Sequence, residues 1–289
     1  MHVPFTWEEI GYGFGIPAVV ALALLWNLRW MLPSTVGRRY APSVAFSAGI
    51  IAGYWLLKLG PLQPETHWQW LPHFMLIATV VGMISASEDL NALDRFLLFT
   101  LATGAAVLIL VPTWGDLSPP RQQYLIGLTS LIVGLALSYR QLLLRIDGPL
   151  LPFVLFMTCL SGAILLMHSG SLLFGQIGFT AAGATLGLTI AARVDKNSRS
   201  LDGLAYPVVF FLCTSMMIGH TNSFGKIPIN SYVLIPCAPL GLFLSMNGPL
   251  SGGKGVKGIS LQVLIPLLIC AAALGTAFWF EPLTGTEAY

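Results

Sequence analysis

Five histidines, His2, His67, His73, His168 and His220, are the first residues of this 289-residue chain to consider for binding. His168 and His220 each end a long apolar run, and Met216 and Met217 precede His220 by four and three residues, on its helical face. Met167 adjoins His168. Neutral imidazoles with thioethers suit copper, and imidazoles alone suit haem or zinc. His168, Met217 and His220 are therefore the candidate metal ligands; no cofactor is predicted as the leading expectation, with haem or copper as the alternative. No HxxxH or HExxH spacing accompanies them. Hydrogen bonding to lipid head groups and loop backbone is the competing explanation for histidines at an interface.

A second constellation is acidic. Glu88, Asp89 and Asp94 lie within eight residues of one another, and membrane prenyl- and phosphotransferases hold a magnesium pyrophosphate with such carboxylates. Those enzymes normally carry two acidic loops, and this chain has one. The same residues also read as helix capping after Ser87. A third feature is the loop NGPLSGGKGVKGIS, whose consecutive glycines free backbone N–H groups to line an anion beside Lys254. Its segment Gly252-Gly253-Lys254-Gly255-Val256 resembles the GGKG loop of the bacterial acyl-phosphate-dependent glycerol-3-phosphate acyltransferases. The resemblance covers five residues and implies phosphate binding by Lys254; that family's other motifs have no match here. With Asp89 and Asp94 on a metal and Lys254 on a phosphate, the chain would be an enzyme acting on a lipid or polyprenyl phosphate. A basic hairpin on the cytoplasmic side explains the same loop without chemistry.

Cys159, Cys213, Cys237 and Cys270 all fall inside apolar runs and form no CxxC pair. They read as small apolar filler of buried helices rather than as a disulfide or zinc framework.

All of these residues must be positioned by apolar segments. The chain is 55% hydrophobic and 9% charged, against about 25% charged in an ordinary soluble domain. Its apolar blocks are continuous, and a helix needs about 20 residues to cross some 30 Å of hydrocarbon. In lipid each backbone polar group must be paired internally, so continuous blocks imply helices rather than a barrel. The expected fold is a single all-α transmembrane bundle over residues 1–289 in the cell (inner) membrane. Its ten spans are expected at 13–32, 41–59, 71–87, 95–112, 122–138, 150–167, 171–192, 205–221, 231–246 and 259–280. Pro236 and Pro239 mark the ninth as short or broken, and Pro266 interrupts the tenth. The N-terminal stretch lacks the basic region of a cleaved signal and reads as retained.

Ten spans place eleven of the fourteen Lys and Arg residues on one side, leaving Lys58, Arg121 and Lys226 on the other. By the positive-inside rule the basic side is cytoplasmic and both termini are outside. That orientation puts every histidine outside and both the acidic loop and Lys254 inside. Trp68, Trp70, Trp114 and Trp279 fall near outer ends and Trp30 near an inner one, as an aromatic belt requires.

Gly49-x-x-x-Gly53 and Gly183-x-x-x-Gly187 should bring helix backbones close, with the glycine-rich seventh span central. No Asp, Glu, Lys or Arg sits mid-span, which argues against a carboxylate proton relay. Ten helices with short loops resemble the layout of the drug/metabolite transporters, whose usual orientation has the termini inside. A small-molecule transporter or permease is the leading expectation, with the lipid bilayer and an unknown small molecule as partners and no nucleic acid. The membrane enzyme and the haem or copper protein are the alternatives.

Overall fold

The computed structural model of the chain describes residues 6–115, 117–146, 148–194, 201–223, 226–247 and 256–282. Every regular element among them is helical. Helix α1 covers Trp7–Met31, starting as Trp7–Ile10, widening to a π turn at Gly11–Gly15 and continuing as Ile16–Met31. Then follow α2 Ser34–Leu56, α3 Leu71–Ser85, α4 Ala92–Leu110, α5 Arg121–Arg145, α6 Leu150–His168, α7 Leu172–Val194 and α8 Ala205–Thr221. Helix α9 comes in three pieces, Ile229–Cys237, a 3-10 turn at Ala238–Leu240 and Gly241–Asn247, before α10, Val256–Phe280.

Each expected block thus coincides with a helix. Six helices, α1, α4, α5, α6, α7 and the stretch Gln262–Phe280 of α10, are long and apolar enough to cross a membrane. The chain is on that ground compatible with a membrane-embedded protein.

Local sequence explains where the helices start and stop. Thr6 and Glu9 form a capping box at the head of α1, and Asn91 with Asp94 does the same for α4. At the end of α2, the N–H of Leu59 reaches the Tyr54 carbonyl (3.1 Å) and that of Lys58 reaches Trp55 (3.1 Å). This Schellman closure puts Lys58 at φ 52°, a left-handed position usually left to glycine.

The packing rests on small residues, as a bundle in lipid requires. A Cβ at Gly49 would lie 2.9 Å from the Pro17 carbonyl, and one at Gly183 or Gly187 would overlap the carbonyl of Phe14 or Ala18. Helices α2 and α7 therefore both close on α1 through backbone contact. Helix α7 packs against α1, α2 and α6. The centre of the bundle, however, is α8, whose residues 205–219 are all buried. It touches α2 through α7 and α9. Glycine content marks where two helices approach closely; enclosure on every side instead needs large apolar residues that fill the space, and α8 carries Phe210, Phe211, Met216 and Met217.

Helix α9 breaks as Pro236 and Pro239 require, whereas α10 runs unbroken through Pro266. The 3-10 turn shifts the hydrogen-bond pattern of α9, and the Pro236 carbonyl takes the Tyr139 hydroxyl of α5 as its donor at 2.6 Å. Tyr139 is 1% exposed, so no water substitutes for it. Tyr139→Phe is expected to cost about 1–2 kcal/mol by stranding that carbonyl, read as a lower thermal unfolding midpoint in detergent. An unchanged midpoint would mean the carbonyl regains a partner within α9.

Candidate functional site

Contacts between helix ends sort the bundle into two faces. At one end, His67 packs edge-on to Trp114 at 5.3 Å, Ser223 donates to the Ser169 carbonyl (3.3 Å), and Gln176 donates to Glu9 (3.2 Å). At the other, Arg39 pairs with Glu88, Ser43 donates to the Gly203 carbonyl (2.7 Å), and Arg145 sits 5.9 Å over the Phe243 ring.

The histidine end holds a groove walled by three helices. His220, in the last turn of α8, points at α5, where its Nδ1 lies 2.7 Å from the Tyr124 hydroxyl. Tyr124 also lies 3.2 Å from the Ser118 carbonyl. On its other side the His220 ring meets Tyr232 of α9 edge-on at 5.2 Å. Below these three rings runs a groove of about 250 Å³ between α5, α8 and α9. Gly127 and Leu131 of α5, Met216, Met217 and Cys213 of α8, and Val233 and Pro236 of α9 line it. Gln123, Gly127 and Ile229 are exposed, so the groove opens sideways from the bundle. It is a slot with apolar walls and one hydrogen-bonding end.

Met217 and His220 thus share one groove. The His168 ring lies 4.2 Å from that of Phe278 on α10, and its Nε2 is buried with no hydrogen-bond partner among the described residues. No group of three His, Cys, Asp or Glu side chains among the described residues is placed to hold a metal. The four thiols are free, with Cys159, Cys213 and Cys270 buried. His2 lies outside the described residues.

The acidic loop is used for structure. Asp94 accepts from the Asn91 N–H (3.4 Å) while Asn91 caps the Asp94 N–H (2.9 Å). Asp89 pairs with the Ser87 hydroxyl at 3.3 Å. Arg95, 7% exposed, turns its guanidinium back onto the carbonyls of Ser85 (3.1 Å) and Ser87 (2.6 Å), closing the end of α3. Lys254 lies outside the described residues. The N-cap proved to be Asn91, not Ser87, and the signal was present in the sequence as Asn-x-x-Asp ahead of an apolar run. Tyr124 and Tyr232, which complete the polar end of the groove, carry no such signal.

His67 belongs to the turn between α2 and α3, where Asn222 reaches its Nε2 at 3.3 Å. Burial holds its pKa below the ordinary imidazole value. The unfolded chain therefore takes up the proton first, so stability is constant above about pH 6.5 and falls as the pH drops from there toward the folded pKa. Thermal unfolding followed from about pH 8 to about pH 5 should show this loss in the native chain and a smaller one in His67→Gln. Equal slopes would place the sensitivity elsewhere.

No protein-family model matches the chain, and no curated protein matches its sequence. The functional reading therefore rests on the site itself.

Proposed function

We propose that the chain is a cell-membrane permease of ten spans, with both termini outside, that passes a small amphipathic molecule between leaflets. The groove between α5, α8 and α9 carries the reading: apolar walls accept the body of such a molecule sideways, and Tyr124 and His220 meet its polar head. The polar groups are neutral hydroxyl and imidazole donors and acceptors, which favours a hydroxylated or glycosidic head over a phosphate. Helix α9 forms one wall and is the helix broken at Pro236 and Pro239, so the wall contains a joint on which access can change.

The test is a leaflet-exchange assay on purified protein in liposomes carrying hexanoyl-NBD glucosylceramide. Dithionite bleaches only the outer leaflet of protein-free vesicles. Bleaching that proceeds past that plateau in proteoliposomes supports the permease; a plateau identical to empty vesicles reduces the groove to a static lipid slot.

A further inference from the structure

A second cavity lies at the histidine end but on the opposite flank, between α1, α6 and α7, and the reading of the groove does not bear on it. It measures about 290 Å³ and is lined by Glu9, Ile10, Phe14, Leu160, Gln176 and Phe179, with Gly13 at its back. The first turns of α1 build it. After one turn of α-helix the chain widens to the π turn Gly11–Gly15, and Gly183 of α7 permits that helix's close approach to the Phe14 carbonyl. Single π turns of this kind recur at binding sites because they redirect side chains out of helical register.

The Glu9 carboxylate is fixed from two sides. One oxygen accepts from the Thr6 N–H (2.8 Å) and hydroxyl (3.1 Å), and the other accepts from the Gln176 amide (3.2 Å). A carboxylate offers about four lone-pair directions, so these three bonds orient it without filling it. Among the described residues the lining supplies no lysine, arginine or histidine to neutralise the charge. What it supplies instead is aromatic: Phe14 and Phe179, with Phe156 packed 6.3 Å behind Phe14. An oriented, partly exposed anion at the mouth of an aromatic cavity attracts a cation with an apolar body. A divalent metal ion is a poor match, since it needs several oxygen ligands and the cavity presents one carboxylate and one amide.

We propose that this cavity is a binding site for a small organic cation, a protonated or quaternary amine carrying an aromatic or aliphatic body. The ammonium group meets Glu9, the phenylalanine faces stabilise it further, and Leu160 and Ile10 hold the apolar part.

The conservative variant is unusually informative here. Glutamine at the third helical position serves a capping box as glutamate does, so Glu9→Gln removes the charge and keeps the cap, and the Gln176 amide turns over so that its carbonyl accepts from the new NH2. Full-length protein in nanodiscs should be titrated with benzyltrimethylammonium and, separately, with N-benzylacetamide, an uncharged probe of similar size. The expected result is saturable binding of the ammonium alone, weakened at least about tenfold in Glu9→Gln and several-fold in Phe179→Leu. Thermal unfolding of each variant, measured alongside, establishes that it is folded; if Glu9→Gln fails to fold, Phe179→Leu decides. Absence of saturable binding to the native chain, equal affinity for both probes, or native affinity in the decisive variant overturns the site.

Discussion

Alanine at Gly183 is expected to destabilise the folded bundle by about 2–3 kcal/mol, although it adds a single methyl group. The methyl would fall on the Phe14 carbonyl, and the obstacle is backbone. A side chain can swing aside, but moving Phe14 means moving the π turn and with it the first half of α1. Gly187 faces the Ala18 carbonyl in the same way, one turn along. Gly104 and Gly134 provide the contrast, since a Cβ at either meets nothing within 4 Å. Alanine there should be neutral or stabilise by up to about 1 kcal/mol through helix propensity. Unfolding midpoints of the four single variants in detergent should therefore split in sign. If Gly183→Ala is as stable as Gly104→Ala, the seam between α1 and α7 is not what holds those helices together.

Gly127→Leu should abolish leaflet exchange while leaving the fold intact. Gly127 lines the groove, and a Cβ there has no atom within 4 Å, so a leucine side chain starts into open space beside the groove. The change also replaces glycine by a strong helix former, worth up to about 1 kcal/mol in favour of the folded state. Exchange of the glycolipid probe should fall at least about tenfold, with an unfolding midpoint equal to or above the native one. Tyr124→Phe removes one hydroxyl and should give a weaker loss. Native exchange in Gly127→Leu would show that the molecule takes another route.

How much of this was legible in the sequence differs between helices and contacts. Ten apolar blocks coincide with ten helices because continuous apolar runs bounded by Pro, Gly and charge are a local property. The ends moved where polar residues extend a helix beyond its apolar part. Helix α1 starts at Trp7, not near residue 13, because Thr6 and Glu9 cap it, and α5 continues through Arg140 to Arg145 beyond its apolar part. Pro266 was read as a break, yet α10 carries it unbroken, since in a packed bundle neighbours can accommodate the lost backbone bond. The break in α9 was legible as two prolines; its partner Tyr139 was not, because nothing links positions 97 residues apart until the helices pack. The same holds for Tyr124 and His220, 96 residues apart. His220 and Met217 were visible as chemistry on one helical face, but whether they bind a metal or line a groove depends on α5 and α9. The seventh span was expected at the centre on its glycines, and enclosure fell to α8.

The complete burial of α8 bears on the order in which the protein is made. A helix of seventeen residues surrounded by protein does not depend on lipid to satisfy its faces, and gains little from lipid before its neighbours are in place. Its contacts reach back to α2 through α7, all synthesised earlier, and forward to α9. In a chain made from its N-terminus, α8 thus meets partners that are already synthesised, and α9 follows it.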